Sequence, residues 1–140
     1  MVDVSFISLR LVLPALWPLL DAASPRARLV ALVKPQFEAG RDAVKAGKGV
    51  VRDGAVALRV LDETMEFARW KLPSCGVVGT LDSPILGGDG NREFLLVLAP
   101  SAHAASAPRL LAGAALAVAE QGDEAQADDS EFRVVPEEGL

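Results

Sequence analysis

The feature that most constrains the fold is the segment from Arg28 to Val33, which is continuously apolar from Leu29 onward and stops at Lys34-Pro35. Such a run is typical of a central parallel strand, because a parallel sheet is covered on both faces and needs no polar alternation. Pro35 has no N–H to donate to a strand ladder, so we expect the strand to end there. The run therefore favours an α/β fold.

Helical and strand-like segments alternate around this run. Ser8 is a candidate N-cap for a helix that continues to Leu20, and Asp53 is a candidate N-cap for a helix to about Leu72. The cluster Gly87–Asn91 indicates a tight turn between the last two strands. We predict the order strand–helix–strand–helix–strand–strand, with the last two strands antiparallel at a sheet edge. The predicted strands cover residues 2–6, 28–33, 75–81 and 93–98.

Composition excludes several classes of protein. Hydrophobic residues make up 51% of the 140, which suits one domain with a core and excludes a chain that is disordered throughout. The single cysteine, Cys75, and the single histidine, His103, exclude a Cys-based zinc site and disfavour His-dependent catalysis. We predict no metal site, and we interpret Cys75, Trp17 and Trp70 as packing residues. Catalysis, if present, must use Lys, Asp, Glu or Ser.

Charge is distributed unevenly along the chain. Residues 120–140 carry eight acidic side chains and one basic side chain, a net −7, which leaves 13 basic and 11 acidic side chains, a net +2, for residues 1–119. The composition changes after Ala99, and we expect one domain over residues 1–98. Residues 99–140 are predicted to hold an Ala-rich helix, within 108–120, and an acidic, disordered tail.

Three charged residues lie at or next to predicted strand ends: Asp3, Lys34 and Glu93. Ligands of open α/β sheets bind beyond the carboxyl ends of the strands, and a right-handed crossover would place the strands of Asp3 and Lys34 side by side. A lysine between two carboxylates can be oriented and can exchange protons with a substrate hydroxyl. From spacing alone, ordinary strand-end charges in salt bridges or in solvent are the favoured interpretation.

The segment from Gln36 to Arg52 has no clear period and is predicted to be a functional loop. Its basic side chains could contact nucleic-acid phosphates, or they could simply be solvated. Ser5 and Ser8 could contact a cofactor or RNA, but turn or cap roles are the favoured interpretation. The basic residues of the loop are Arg41, Lys45, Lys48 and Arg52.

Four motifs follow one another between residues 3 and 98: Asp3-Val-Ser-Phe-Ile-Ser-Leu9, Leu32-Val-Lys-Pro-Gln-Phe-Glu38, Gly49-Val-Val-Arg-Asp53, and Ser83-Pro-Ile followed by Gly90-Asn-Arg-Glu-Phe-Leu95. Together they resemble the TlyA-type, hemolysin A-like family of FtsJ-class S-adenosylmethionine-dependent ribosomal RNA 2′-O-ribose methyltransferases. The resemblance implies a Rossmann-like methyltransferase sheet, of which this chain carries the C-terminal half.

The family uses a Lys-Asp-Lys-Glu tetrad. Matched residue by residue, its Asp corresponds to Asp3, its second Lys to Lys34 and its Glu to Glu93. The resemblance implies that Lys34 orients and deprotonates the ribose 2′-hydroxyl, or stabilises the developing alkoxide, while Asp3 and Glu93 position Lys34. It also implies S-adenosylmethionine as cofactor, ribosomal RNA as partner and a cytoplasmic location.

The family's S4 RNA-binding domain, first tetrad Lys and Gly-rich cofactor loop have no match in this sequence, so no residue is assigned to cofactor binding. Half a doubly wound sheet leaves a strand edge and apolar helix faces uncovered, so we expect self-association or pairing with a missing N-terminal half. A non-enzymatic remnant or interaction module stays open as the alternative. A pore-forming hemolysin is disfavoured, and no membrane partner is expected, because no spanning or strongly amphipathic segment occurs.

Overall fold

The computed structural model describes residues 1–40, 44–45, 47–104 and 133–134. Within this part, two longer helices and two very short helices accompany a small sheet. In chain order the elements are α1 (Leu9–Leu16), a 3₁₀ turn (Trp17–Leu19), β1 (Leu29–Val33), α2 (Pro35–Glu38), α3 (Gly54–Lys71), β2 (Cys75–Asp82), a 3₁₀ turn (Gly88–Gly90), β3 (Phe94–Pro100), α4 (Ser101–Ala104) and β4 (Arg133–Val134).

The sheet has the order β1-β3-β2-β4, and all of its ladders are antiparallel. The α/β class and the antiparallel pairing of the last two predicted strands are confirmed. The central strand typical of a parallel sheet is parallel on one side only: Val2 pairs with Ala31 in a parallel bridge, whereas β3 runs antiparallel on the other side. One face of β1 is buried and the other is half-buried, which explains the continuous apolar run in either arrangement.

The first predicted strand is reduced to the bridge at Val2. Phe6, inside the predicted range 2–6, has a φ of 64°. This left-handed conformation cannot continue a strand, and for a bulky residue it is a conformational outlier. The chain instead turns away from the sheet between Asp3 and Ser8, and α1 follows.

Helices α1 and α3 cover one face of the sheet and bury the main core with it. Trp17 is buried in that core and its Nε1 donates a 2.8 Å hydrogen bond to the carbonyl of Pro73, which confirms its packing role. The same prediction for Trp70 is wrong, since this side chain is 84% exposed. The buried stripe of α3 passes through Ala68, and helical geometry turns a residue two positions later away from that stripe.

Local capping follows the sequence closely. The Ser8 hydroxyl accepts from the Arg10 amide, and the Asp53 carboxylate accepts from the Ala55 amide at 2.8 Å. The helix predicted to reach Leu20 ends at Leu16 instead and continues as a 3₁₀ turn. Pro18 lies in that turn and lacks the N–H that a further α-helical hydrogen bond would need.

The predicted loop 36–52 is helical at its start, because α2 begins with Pro35, a residue suited to the first position of a helix. The Ala-rich helix predicted within 108–120 lies outside the described residues, as does the acidic tail except for Arg133–Val134, which pair with β2. Cys75, interpreted from the sequence as a small packing residue, is partly buried. This burial raises the pKa of its thiol to about 12.

Candidate active site

Lys34 and Asp3 meet at the end of β1. The backbone of Val2 holds the preceding segment against β1, donating to the Val30 carbonyl at 2.7 Å and accepting from the Leu32 amide at 2.9 Å. Asp3 is thereby placed beside Lys34, whose Nζ lies 2.7 Å from Asp3 Oδ1. The Lys34 side chain is only 13% exposed, whereas that of Asp3 is 49% exposed. The structure thus brings together two of the three predicted strand-end residues.

Ser5 adds a second oxygen to the same ammonium group. Lys34 Nζ donates to Ser5 Oγ at 3.2 Å. From the sequence, a turn role is favoured for Ser5, and this contact was not expected. A carboxylate and a hydroxyl together orient Lys34, because each occupies one of the three donor directions of the ammonium. Among the described residues, no third acceptor occupies the remaining N–H direction.

Glu93 lies next to this pair but does not contact it. The β1–β3 register pairs Val33 with Phe94, and one further step places Glu93 opposite Lys34. Glu93 is 6% exposed. Its carboxylate packs against the backbone of Gly87, where a Cβ atom would overlap it. Within the described part of the chain, Glu93 forms no ion pair.

A buried amide holds the turn that precedes Glu93. Asn91 is 2% exposed. Its Oδ1 accepts from the Val51 amide at 2.9 Å, and its Nδ2 donates to the carbonyls of Gly88 at 2.9 Å and Gly49 at 3.4 Å. The turn is thus fastened to the loop that leads into α3. Asn91 occurs in one of the four motifs, but sequence reasoning gave it no role.

Glu38 is a second residue that sequence reasoning missed. Its Oε2 accepts from the Ser8 hydroxyl at 2.6 Å, and its Oε1 accepts from the Leu9 amide at 2.6 Å. Ser8 and Glu38 are 30 residues apart in sequence. The only available signal was the presence of both residues in the motifs, since no spacing rule links positions so distant.

The predicted basic loop is only partly described. Lys45, Lys48 and Arg52 are exposed, and in the described part of the chain none of the three forms an ion pair; Arg41 lies outside the described residues. Arg52 lines a pocket together with Arg92, beside the first turn of α3. Arg92 itself is held by Asp82 through two hydrogen bonds of 3.0 and 2.6 Å.

The described residues contain no group of three or more His, Cys, Asp or Glu side chains arranged to hold a metal ion. None of the helices in the described part of the chain combines the length and apolar character needed to cross a bilayer.

Comparison with known proteins gives consistent results. A model of the FtsJ-like methyltransferase family matches residues 1–99. The chain is 53% identical over 97 residues to the Bacillus subtilis protein named "Putative rRNA methyltransferase YqxC", covering 69% of this chain and 32% of that protein. It is 42% identical over 99 residues to the Mycobacterium tuberculosis 16S/23S rRNA (cytidine-2′-O)-methyltransferase TlyA, covering 69% of this chain and 34% of that protein.

A solved structure shows the same fold. A "putative hemolysin" from Lactococcus lactis superimposes with a TM-score of 0.63 at 43% identity, over 73% of this chain and 46% of that chain. The chain spans about a third of the length of the curated relatives it matches.

Proposed function

The chain belongs to the FtsJ-like methyltransferase family, and from this premise we propose that it supplies the acceptor-binding part of a ribosomal RNA 2′-O-methyltransferase. The observation that carries the proposal is the ion pair between Lys34 and Asp3, with Ser5 as a second partner, at the end of β1. In this proposal, the N–H of Lys34 that neither Asp3 nor Ser5 accepts donates a hydrogen bond to the ribose 2′-oxygen.

Lys34 is the proposed catalytic residue. Neutral Lys34 could accept the hydroxyl proton, whereas cationic Lys34 would stabilise the negative charge that develops on the 2′-oxygen. Asp3 and Ser5 restrict the ammonium to one position, and such positioning contributes much of the rate in a displacement reaction.

Glu93 is proposed as the third member of the site. It lies opposite Lys34 in the extended β1–β3 register, it is buried, and its carboxylate has no ion-pair partner among the described residues. A rotation of its side chain away from Gly87 would bring a second negative charge toward Lys34. We propose that this happens when the RNA binds.

S-adenosylmethionine is the methyl donor that the family implies, and we propose the same donor here. The described residues do not fit a cradle for it. The segment that follows Asp3 is open to solvent, with Phe6 91% and Ile7 41% exposed. We therefore assign no described residue to holding the donor.

Ribosomal RNA is the proposed substrate, because the M. tuberculosis relative is named for 16S and 23S ribosomal RNA. Lys45, Lys48 and Arg52 are exposed and could contact its phosphates, and we keep Arg41 as a fourth candidate. Such a substrate implies a cytoplasmic protein. Exposed apolar side chains support association with a second polypeptide or a second copy; they include Leu11, Leu19 and Trp70.

The test is incorporation of labelled methyl groups into ribosomal RNA by the chain, with a matched pair of lysine variants. Lys34→Ala should abolish incorporation, whereas Lys71→Ala, at the exposed end of α3, should leave it unchanged. Circular dichroism of both variants checks the fold. Equal incorporation by the two variants at the wild-type level would contradict the role of Lys34.

A second candidate function is an interaction module of the same fold, without catalysis. The open segment after Asp3 favours it, because a methyl donor bound there would be poorly enclosed. Wild-type chain that incorporates no methyl groups and does not bind S-adenosylmethionine by calorimetry would support this alternative.

A further inference from the structure

We propose that Glu38 is a positioning residue for Lys34, an inference that rests on the function proposed above. Glu38 lies on α2, four residues after Lys34, and its carboxylate binds the Ser8 hydroxyl and the Leu9 amide. Ser8 and Leu9 end the segment that begins with Asp3. One side chain therefore ties the segment of Asp3 to the segment of Lys34.

The two segments meet along their length, and we call this set of contacts the clasp. It consists of the contacts between residues 3–9 and residues 34–38. Lys34 binds Asp3 and Ser5 at one end, the rings of Phe6 and Phe37 lie 5.0 Å apart in the middle, and Glu38 closes the other end. The contacting residues follow one another in the same order along residues 3–9 and along residues 34–38. A change in the position of Glu38 should therefore shift the contacts next to it and, through them, the position of Lys34.

Glu38 lies where its carboxylate can stabilise the first turn of α1, at its end of the clasp. α1 has no acidic residue in its first turn, and its first amides have no intrahelical partners. The Glu38 carboxylate supplies from a distant part of the chain the negative charge and the acceptor that a helix N-terminus favours. Both hydrogen bonds are partly buried, which protects them from competition by water.

The segment between the two ends is strained. Phe6 has a φ of 64° and is 91% exposed, so burial of its own ring does not stabilise this conformation. Left-handed backbone is unfavourable for a bulky residue, and the contacts at both ends of the clasp must offset that cost. Without Glu38 the segment should relax, and Asp3 and Ser5 should withdraw from Lys34.

The experiment compares Glu38→Ala with Glu66→Ala, a matched control at an exposed position of α3. NMR measures the nuclear Overhauser effects between the rings of Phe6 and Phe37, and between the Lys34 Hε and Ser5 Hβ protons. We expect Glu38→Ala to lose both, while the contacts of β1 with β3 persist. Glu66→Ala should keep all of them. Persistence of the Lys34–Ser5 contact in Glu38→Ala would overturn the proposal.

Two further variants decide the case if Glu38→Ala does not fold. Glu38→Gln keeps an oxygen for the Leu9 amide and should restore part of the lost Phe6–Phe37 and Lys34–Ser5 signals. Ser8→Ala removes one partner and should weaken the same signals. If both variants match the wild type, the proposal is overturned.

Methyl transfer gives the functional measurement. Glu38→Ala should lower kcat on the order of 10- to 100-fold, the scale of a misplaced catalytic group. The loss should fall on kcat and leave KM unchanged, because Glu38 acts by positioning Lys34; a change in KM alone would contradict this. The NMR signals test the clasp even if the wild-type chain is inactive, so failure of the clasp and failure of the proposed function are distinguished.

Discussion

The two sides of the candidate site are built in different ways. Lys34 is held by side chains of two separate segments, at a surface where Asp3 is half exposed. Glu93 follows a turn closed by backbone hydrogen bonds, including those from Gly87 to Asn91 and from Gly90 to Gly87. A buried amide, Asn91, fastens that turn. The comparison indicates that the Lys34 side can be adjusted by single side chains, whereas the Glu93 side is part of the folded framework.

The largest effect on stability should come from Asn91→Ala. The change removes hydrogen bonds to the Val51 amide and the Gly88 carbonyl. The Gly88 carbonyl still accepts from the Asn91 backbone amide, whereas the Val51 amide is left without its partner near the core. An unsatisfied buried polar group costs about 1–3 kcal/mol, and we expect the free energy of unfolding, measured in urea, to fall by about 2–3 kcal/mol, because the other hydrogen bonds of the side chain are lost as well.

Asp89→Asn is the control for that change, because Asp89 lies exposed in the same turn with a φ of 59° that Asn also tolerates. It should change the free energy of unfolding by less than about 0.5 kcal/mol. If Asn91→Ala proved as mild as this control, the buried amide would not be what secures the Glu93 side.

A smaller effect is expected from Gly87→Ala. The added Cβ would overlap the carboxylate of Glu93, which must move. Overpacking of this kind costs about 1–3 kcal/mol. We expect a loss near the lower end, since a side chain rather than backbone is displaced, together with reduced methyl incorporation. Urea unfolding and the methylation assay measure the two effects.

Gly88→Ala is the neighbouring control, because a Cβ there would meet open space. Equal behaviour of the two alanine variants would mean that the contact between Gly87 and Glu93 does not position the carboxylate.

Sequence reasoning succeeded where the cause is local. The run that forms β1, the cap at Asp53 and the cap at Ser8 all follow from nearby residues. The proximity of Asp3 and Lys34 also followed, because the crossover rule fixes which strands are neighbours. The assignment of catalytic roles to Asp3, Lys34 and Glu93 stays a prediction.

What could not be predicted depends on tertiary contacts. Glu38 caps a helix 29 residues away in sequence, and the carboxylate of Glu93 finds space only because Gly87 has no side chain. Phe6 ends the first strand through a left-handed conformation that no residue pattern indicated. The exposure of Trp70 depends on where the buried stripe of α3 lies.

The smallest effect on stability should come from Asp3→Asn, because the ion pair with Lys34 is half open to solvent on the Asp3 side. Such pairs contribute about 0–1 kcal/mol and are screened by salt.

The reactivity of Cys75, at the start of β2, measures whether a substitution destabilises only one side of the site or the whole fold. The partly buried thiol of Cys75 has a pKa raised to about 12 from an ordinary 9.0, so native protein should react slowly with iodoacetamide at pH 8, where unfolded chain carries far more thiolate.

Reaction of Cys75 through global opening accelerates about tenfold for each 1.4 kcal/mol of stability lost. Asn91→Ala should therefore react at least tenfold faster than wild type, whereas Asp3→Asn should stay within about fivefold. Raising the salt concentration should narrow the difference between Asp3→Asn and wild type, because it screens the ion pair in wild type only. Labelling of Asp3→Asn as fast as Asn91→Ala would show that the Lys34 side also supports the framework, and the contrast between the two sides would be lost.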